Sequence, residues 1–125
     1  MPTAAHPAPG FRNVPRSHIV TRPLGRRVRV TAGGEVIADT REAVEMREGG
    51  HAPVVYLPRK DVNMARLERT AHRTHCPYKG EASYYSIAGG APNAAWSYEH
   101  PYDEMLEIRG MLAFYPGKVD AIGIE

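Results

Sequence analysis

Ala82-Ser83-Tyr84-Tyr85-Ser86-Ile87-Ala88 and Ala94-Ala95-Trp96-Ser97-Tyr98-Glu99 flank the loop Gly89-Gly90-Ala91-Pro92-Asn93. Two β-prone runs around a Gly/Pro/Asn loop read as a hairpin over residues 82–99. Pairing Ala88 with Ala94 across the loop sets Tyr84 opposite Tyr98 and Ser86 opposite Trp96. Side chains alternate along a strand, so Tyr84, Ser86, Trp96 and Tyr98 share one face, and Tyr85 and Ile87 take the other. Aromatic rings on one sheet face are ordinarily core. Buried Tyr and Trp, however, need hydrogen-bond partners that Phe and Leu do not, and the chain carries seven Tyr against two Phe. The face therefore reads either as core or as the wall of a pocket that stacks a flat ligand or a cation. A register slip of one residue would exchange the two faces.

Outward from this hairpin, the chain breaks into short strands. Arg27-Val28-Arg29-Val30-Thr31 alternates polar with apolar and turns at Gly33-Gly34 into a second arm, Glu35 to Ala38. Ala43 to Met46, Val54 to Leu57, Met111 to Tyr115 and Val119 to Ile122 read as further strands. Asp61 reads as the N-cap of a short helix running toward Thr70, and Asp103 as the cap of another that ends at Gly110. Thr74 to Gly80 reads as a loop. Residues 1–16 contain four prolines and little apolar periodicity, so they are expected to be a mobile tail ahead of a single domain over 17–125. Many short strands with Gly/Pro turns predict a mainly β domain with one or two small helices.

Composition narrows the function classes. The 125 residues, 42% of them hydrophobic, suit one globular domain. Residues 1–41 hold seven Arg against Glu35 and Asp39, whereas the remainder is mildly acidic. A basic stretch is only the electrostatic part of a nucleic-acid site, so nucleic acid is not the expected partner. No apolar run reaches the ~18 residues of a membrane span, and residues 1–10 lack the apolar segment of a signal peptide. With Cys76 as the sole cysteine, no intrachain disulfide forms, and cytoplasm is the expected compartment.

Cys76-Pro77-Tyr78-Lys79-Gly80 leads into the hairpin. Lys79 can favour a thiolate at Cys76, making Cys76 or Lys79 a candidate catalytic nucleophile aided by His75 or His100. The alternative is that Cys76 is a small buried hydrophobe. His72, His75, Cys76 and His100 contain His-x-x-His spacing, but a structural zinc site with four thiolates is excluded, and no metal or other cofactor is expected. Gly-x-Ser-x-Gly, phosphate-loop and dinucleotide signatures are absent, and aspartates at 39, 61, 103 and 120 give no Asp-x-Asp pair for a two-metal transfer reaction. Arg59 and Lys60 follow Tyr56-Leu57-Pro58 at a strand end, where they could meet an anionic group.

Six stretches carry a family resemblance. Gly34-Glu35-Val36-Ile37-Ala38-Asp39, Tyr56-Leu57-Pro58-Arg59-Lys60-Asp61-Val62, Cys76-Pro77-Tyr78-Lys79-Gly80, Ala82-Ser83-Tyr84-Tyr85, Ala94-Ala95-Trp96-Ser97-Tyr98 and Ala113-Phe114-Tyr115 resemble the domain-of-unknown-function family 427, over roughly residues 18–122. The family has carried a nucleotidyltransferase label, which the missing carboxylate pair does not support. The resemblance implies a β-tent, a pair of antiparallel sheets meeting at a steep angle. Some β-tent relatives hold zinc with paired Cys-x-x-Cys, impossible with one cysteine; others bind small ligands in an aromatic cage at the sheet junction.

Three functions follow as expectations. The first is a small-molecule or modified-residue binding domain using Arg59, Lys79, Tyr84, Trp96 and Tyr98. The second is an enzyme using Cys76 or Lys79. The third is a structural or interaction domain, possibly a homodimer, whose aromatic face a partner covers.

Overall fold

The computed structural model describes residues 5–125. Its strands form three antiparallel sheets. The first contains β1 (Ile19–Pro23), β4 (Val44–Glu48) and β5 (Val54–Tyr56) in the order β1-β4-β5. The second contains β2 (Val28–Ala32), β3 (Glu35–Thr40) and β10 (Ala121–Ile124) in the order β10-β2-β3. The third runs β6-β7-β8-β9, with β6 at Leu67–Cys76, β7 at Gly80–Ile87, β8 at Ala95–Ser97 and β9 at Ala113–Phe114. The fold is mainly β, as expected, but with three sheets instead of two. A single bridge from Leu57 to Leu112 joins the end of β5 to the segment entering β9.

Alternation explains the layering. On β2, Val28 and Val30 are fully buried between half-exposed arginine and threonine. The β2–β3 turn is made by Gly33 and Gly34 at φ +60° and +77°, a region that side chains rarely tolerate. On β7, Tyr85 and Ile87 join one core with Val28, Val30, Ile37, Leu57 and Phe114. Ala82 and Tyr84 join a second core with Ile19, Met46, Tyr56 and Tyr98. The four-stranded sheet thus packs on both faces, and its two faces meet different chemistry.

The segment expected as a helix from Asp61 is not one. Two 3-10 turns, Arg59–Asp61 and Met64–Arg66, lead directly into β6. Asp61 does not cap; its carboxylate accepts from the Thr40 hydroxyl at 2.7 Å. Val62 bridges Ala38, and the Asn63 N–H donates to the Ile37 carbonyl at 2.8 Å. Pairing of Leu67–Cys76 with β7 supplies ladder bonds that outweigh the weak local preference for helix. The loop expected at Thr74–Gly80 is accordingly shorter, since β6 runs to Cys76 and β7 starts at Gly80.

The second expected helix is a 3-10 segment, Asp103–Ile108, interrupted at Met105. Its acidic start serves another purpose. Asp103 accepts the backbone N–H of His6 at 2.8 Å, and Glu104 accepts that of Ala8 at 2.9 Å. Residues His6 and Ala8, in the segment expected as a mobile tail, thus bond to the domain. The Phe11 ring lies 5.1 Å from Tyr78, the Gly10 N–H donates to the Pro77 carbonyl, and a Cβ on Gly10 would come within 2.6 Å of the Tyr78 ring. The two carboxylate bonds span 97 and 96 residues of sequence, and local spacing does not encode them. Residues 1–4 of the expected tail lie outside the described residues. No helix among the described residues is long and apolar enough to cross a membrane.

Candidate functional site

The hairpin pairs Tyr84 with Trp96, Ser83 with Ser97 and Tyr85 with Ala95. This register is two residues away from the Tyr84–Tyr98 pairing expected from sequence. The loop is longer than it reads: the Ile87 N–H donates to the Ala91 carbonyl, the Ser86 hydroxyl accepts from the Asn93 N–H at 3.0 Å, and Asn93 adopts φ +46°. A two-residue shift leaves every side chain on its face, since the period of a strand is two.

Tyr84, Trp96 and Tyr98 line one cavity of about 390 Å³ with Cys76 and Lys79. The opposite walls are Met46 and Glu48 of β4, Val54 and Tyr56 of β5, and Tyr115 just after β9. The β6–β7 turn delivers Cys76 and Lys79. Gly80 takes φ +112°, and beside it the Tyr102 N–H donates to the Lys79 carbonyl at 3.0 Å, tying that turn to the 100–102 segment.

The Lys79 ammonium donates to Glu48 Oε1 at 2.7 Å, with side chains only 12% and 17% exposed. Lys79 Nζ also lies 3.9 Å from Cys76 Sγ. Opposite, the Trp96 indole N–H donates to the Tyr56 hydroxyl at 3.4 Å, and the Trp96 and Tyr115 rings sit 4.4 Å apart at 40°. The Tyr84 hydroxyl is bonded to Thr74 at 2.9 Å. Tyr98 is 7% exposed and lines the same cavity. Burial pushes the Tyr56 and Tyr98 phenols well above their ordinary range. Tyr115 is pushed up to about 12, first by burial and then by the Tyr84 hydroxyl. Tyr56, Tyr98 and Tyr115 stay protonated at neutral pH and can donate. The cavity thus combines five aromatic rings, phenolic donors, a thiol and a lysine–carboxylate pair of no net charge.

Arg59 is placed elsewhere. Tyr85 points to the other face of the sheet, and Arg59 joins it there. The guanidinium donates to the Gly110 carbonyl at 2.9 Å, the Tyr85 hydroxyl at 3.2 Å, Ser97 Oγ at 3.2 Å and Glu99 Oε2 at 3.0 Å. Tyr85 itself donates to Glu99 at 2.6 Å, and Arg69 closes on the second Glu99 oxygen at 2.8 Å. A shallow hollow of about 500 Å³ beside Arg59 is open to solvent. With four of its five N–H groups engaged, Arg59 links the 3-10 turn at 59–61 to the hairpin. Lys60 is exposed and pairs with Glu42 and Asp61.

The histidines do not assemble around Cys76. His75 bonds the Tyr102 hydroxyl at 2.7 Å, while the His72 ring lies 4.5 Å from the Tyr84 ring, tilted at 56°. Among the described residues, no group of three or more His, Cys, Asp or Glu side chains is placed to hold a metal ion.

Sequence reasoning missed Glu48, Tyr56 and Tyr115 as site residues. Tyr56 and Tyr115 sit within two of the six family stretches, a signal that could have drawn them in. Glu48 precedes Gly49-Gly50 and carries no local signature at all. No curated protein matches the chain. The stretches that build the cavity, from Tyr56 through the Cys76–Gly80 turn and the hairpin to Tyr115, fall within residues 20–125, which match one family's model, and the chain therefore belongs to the family described as Domain of unknown function (DUF427).

Proposed function

We propose that this domain binds a small, flat ligand in the aromatic cavity, stacked against Trp96 and hydrogen-bonded by the Tyr98 hydroxyl and the Lys79–Glu48 pair. The observation that carries this reading is a recess of about 390 Å³ that gathers five aromatic rings with the Cys76 thiol and the Lys79–Glu48 pair. A purely structural core closes such a space, because interiors are packed to near-crystal density. Recesses of roughly 300–1,000 Å³ with aromatic walls and a few convergent polar groups are the usual form of small-ligand sites. Pairing of Lys79 with Glu48 favours a ligand of little net charge over the anionic one suggested by Arg59 and Lys79 together.

Trp96 is the only tryptophan, so its emission reports the site without interference. A panel of planar heterocycles, including purines, pterins and indoles, is expected to contain compounds that both shift Trp96 emission and raise the Tm. Such compounds should protect Trp96 from acrylamide quenching. Tyr98→Phe should weaken them about three- to tenfold, the range of one hydrogen bond. A panel that leaves both Trp96 emission and Tm unchanged counts against the reading, as does equal binding by Tyr98→Phe.

A second reading, nucleophilic use of Cys76, is favoured by the 3.9 Å contact between its sulfur and the Lys79 ammonium. The thiol lines the same cavity, so a ligand bound there would lie beside it.

A further inference from the structure

A second cavity adjoins the first. It measures about 440 Å³, and Val54 and Trp96 belong to the walls of both. Its remaining walls include Val55 of the first sheet and Leu57 just after it, Phe114 from the third sheet and Ile122 from the second. Among the described residues, no charged one lines it. The recess is thus framed by strands of all three sheets, and Trp96 lines both it and the polar chamber beside it.

We propose that the ligand of the aromatic cavity carries a hydrocarbon substituent that occupies this second chamber. The ligand class is then amphipathic: a flat, hydrogen-bonding head beside Tyr98 and Lys79, and an apolar chain or ring beyond Trp96. This inference rests on the ligand-binding reading above and adds the chemistry of the tail. An apolar cavity of ~150 Å³ already holds a benzene ring, so 440 Å³ accommodates a chain of several carbons.

A covering protein surface fits less well. Such a partner needs a contiguous apolar face around the recess. The large apolar side chains exposed on the described surface are Val20, Val36, Leu106 and Ile124, and of these only Ile124 borders it. The recess adjoins the aromatic cavity, with Val54 and Trp96 lining both.

A homologous series separates the two ideas. Phenol, 4-ethylphenol, 4-butylphenol and 4-hexylphenol, kept below micelle-forming concentrations, can be titrated against Trp96 emission. Each buried methylene is worth ~0.8 kcal/mol, so affinity should rise about fourfold per added carbon. Ala121→Phe, at an exposed position on the wall of the second chamber, should flatten this rise while leaving phenol itself unchanged. Val55→Thr, nearly equal in shape, should lower the slope if Ala121→Phe folds poorly. Binding of phenol with no dependence on chain length overturns the tail inference alone. A slope that survives in both variants also overturns it. If no member of the series perturbs Trp96, the ligand-binding reading falls as well.

Discussion

Arg59→Ala is expected to destabilise the domain by about 2–3 kcal/mol while leaving the aromatic cavity intact. Removing one partner of a buried, hydrogen-bonded ion pair costs ~3–5 kcal/mol, because the other partner is left without compensation. Here the figure is lowered for two reasons. The Arg59 side chain is 35% exposed, and Arg69 still pairs with Glu99 at 2.8 Å. What remains is the loss of four donations, including one to Ser97, which is fully buried. Arg59→Lys should recover less than half of the loss, since a single ammonium cannot serve acceptors spread around a planar fork.

The pH dependence of the same variant has a definite sign. Burial pushes the Glu99 carboxyl upward and is the largest single influence. The Tyr85 hydroxyl, the Arg69 charge, the Ser83 hydroxyl and Arg59 together outweigh it, so the carboxyl is held below its usual range. A depressed carboxylate contributes stability that is present above its unfolded value, ~4.3 for Glu, and is lost as pH falls through the folded value. Arg59→Ala weakens that contribution. The gap between the two proteins should be full at pH 7 and narrow below about pH 4. Urea midpoints at pH 7 and pH 3 measure both. A gap that does not change with pH would remove Glu99 from the account, and altered Trp96 emission in Arg59→Ala would contradict the separation of the two faces.

That separation also shows what the sequence could reveal. Alternation along residues 82–99 was enough to put Tyr84, Trp96 and Tyr98 together, although the register was wrong by two. Parity survives an even slip, so the face was legible even when the pairing was not. Cys76 and Lys79 were legible for a similar reason: they sit in the turn that feeds the hairpin, and short loops keep neighbours close. Arg59 was misplaced because its side of the sheet is decided by a 3-10 turn that read as the lead-in to a helix. Val62 and Asn63 are held by Ala38 and Ile37 of β3, contacts more than twenty residues distant in sequence, and no local pattern around Asp61 encodes them. Glu48 was invisible for the same cause. Its role depends on β4 facing the β6–β7 turn across the cavity, a relation between sheets that periodicity within one strand does not carry.

The largest effect at the site itself should come from breaking the Lys79–Glu48 pair. Lys79→Met leaves the Glu48 carboxylate, 17% exposed, among Met46, Val54 and the tyrosines. His51 stands 3.9 Å from its second oxygen but is 67% exposed, and can compensate little. The expected cost is about 3–4 kcal/mol, at the low end of the range for a broken buried pair. Lys79→Met combined with Glu48→Leu removes both charges and should return to within about 1 kcal/mol of the parent, since apolar replacement of a whole buried pair is often neutral. The coupling between the two positions is then at least about 2 kcal/mol, well beyond the additivity error for independent sites. Urea denaturation of the four proteins measures it. Additive costs would mean that the 2.7 Å contact contributes nothing to the fold. The double variant then separates structure from recognition. If the pair serves only to neutralise itself, the planar heterocycles that shift Trp96 bind the double variant as they bind the parent. The proposed function requires the opposite: a protein as stable as the parent whose ligand affinity has dropped at least about tenfold, ~1.4 kcal/mol, because the hydrogen-bonding side of the cavity has been replaced by hydrocarbon.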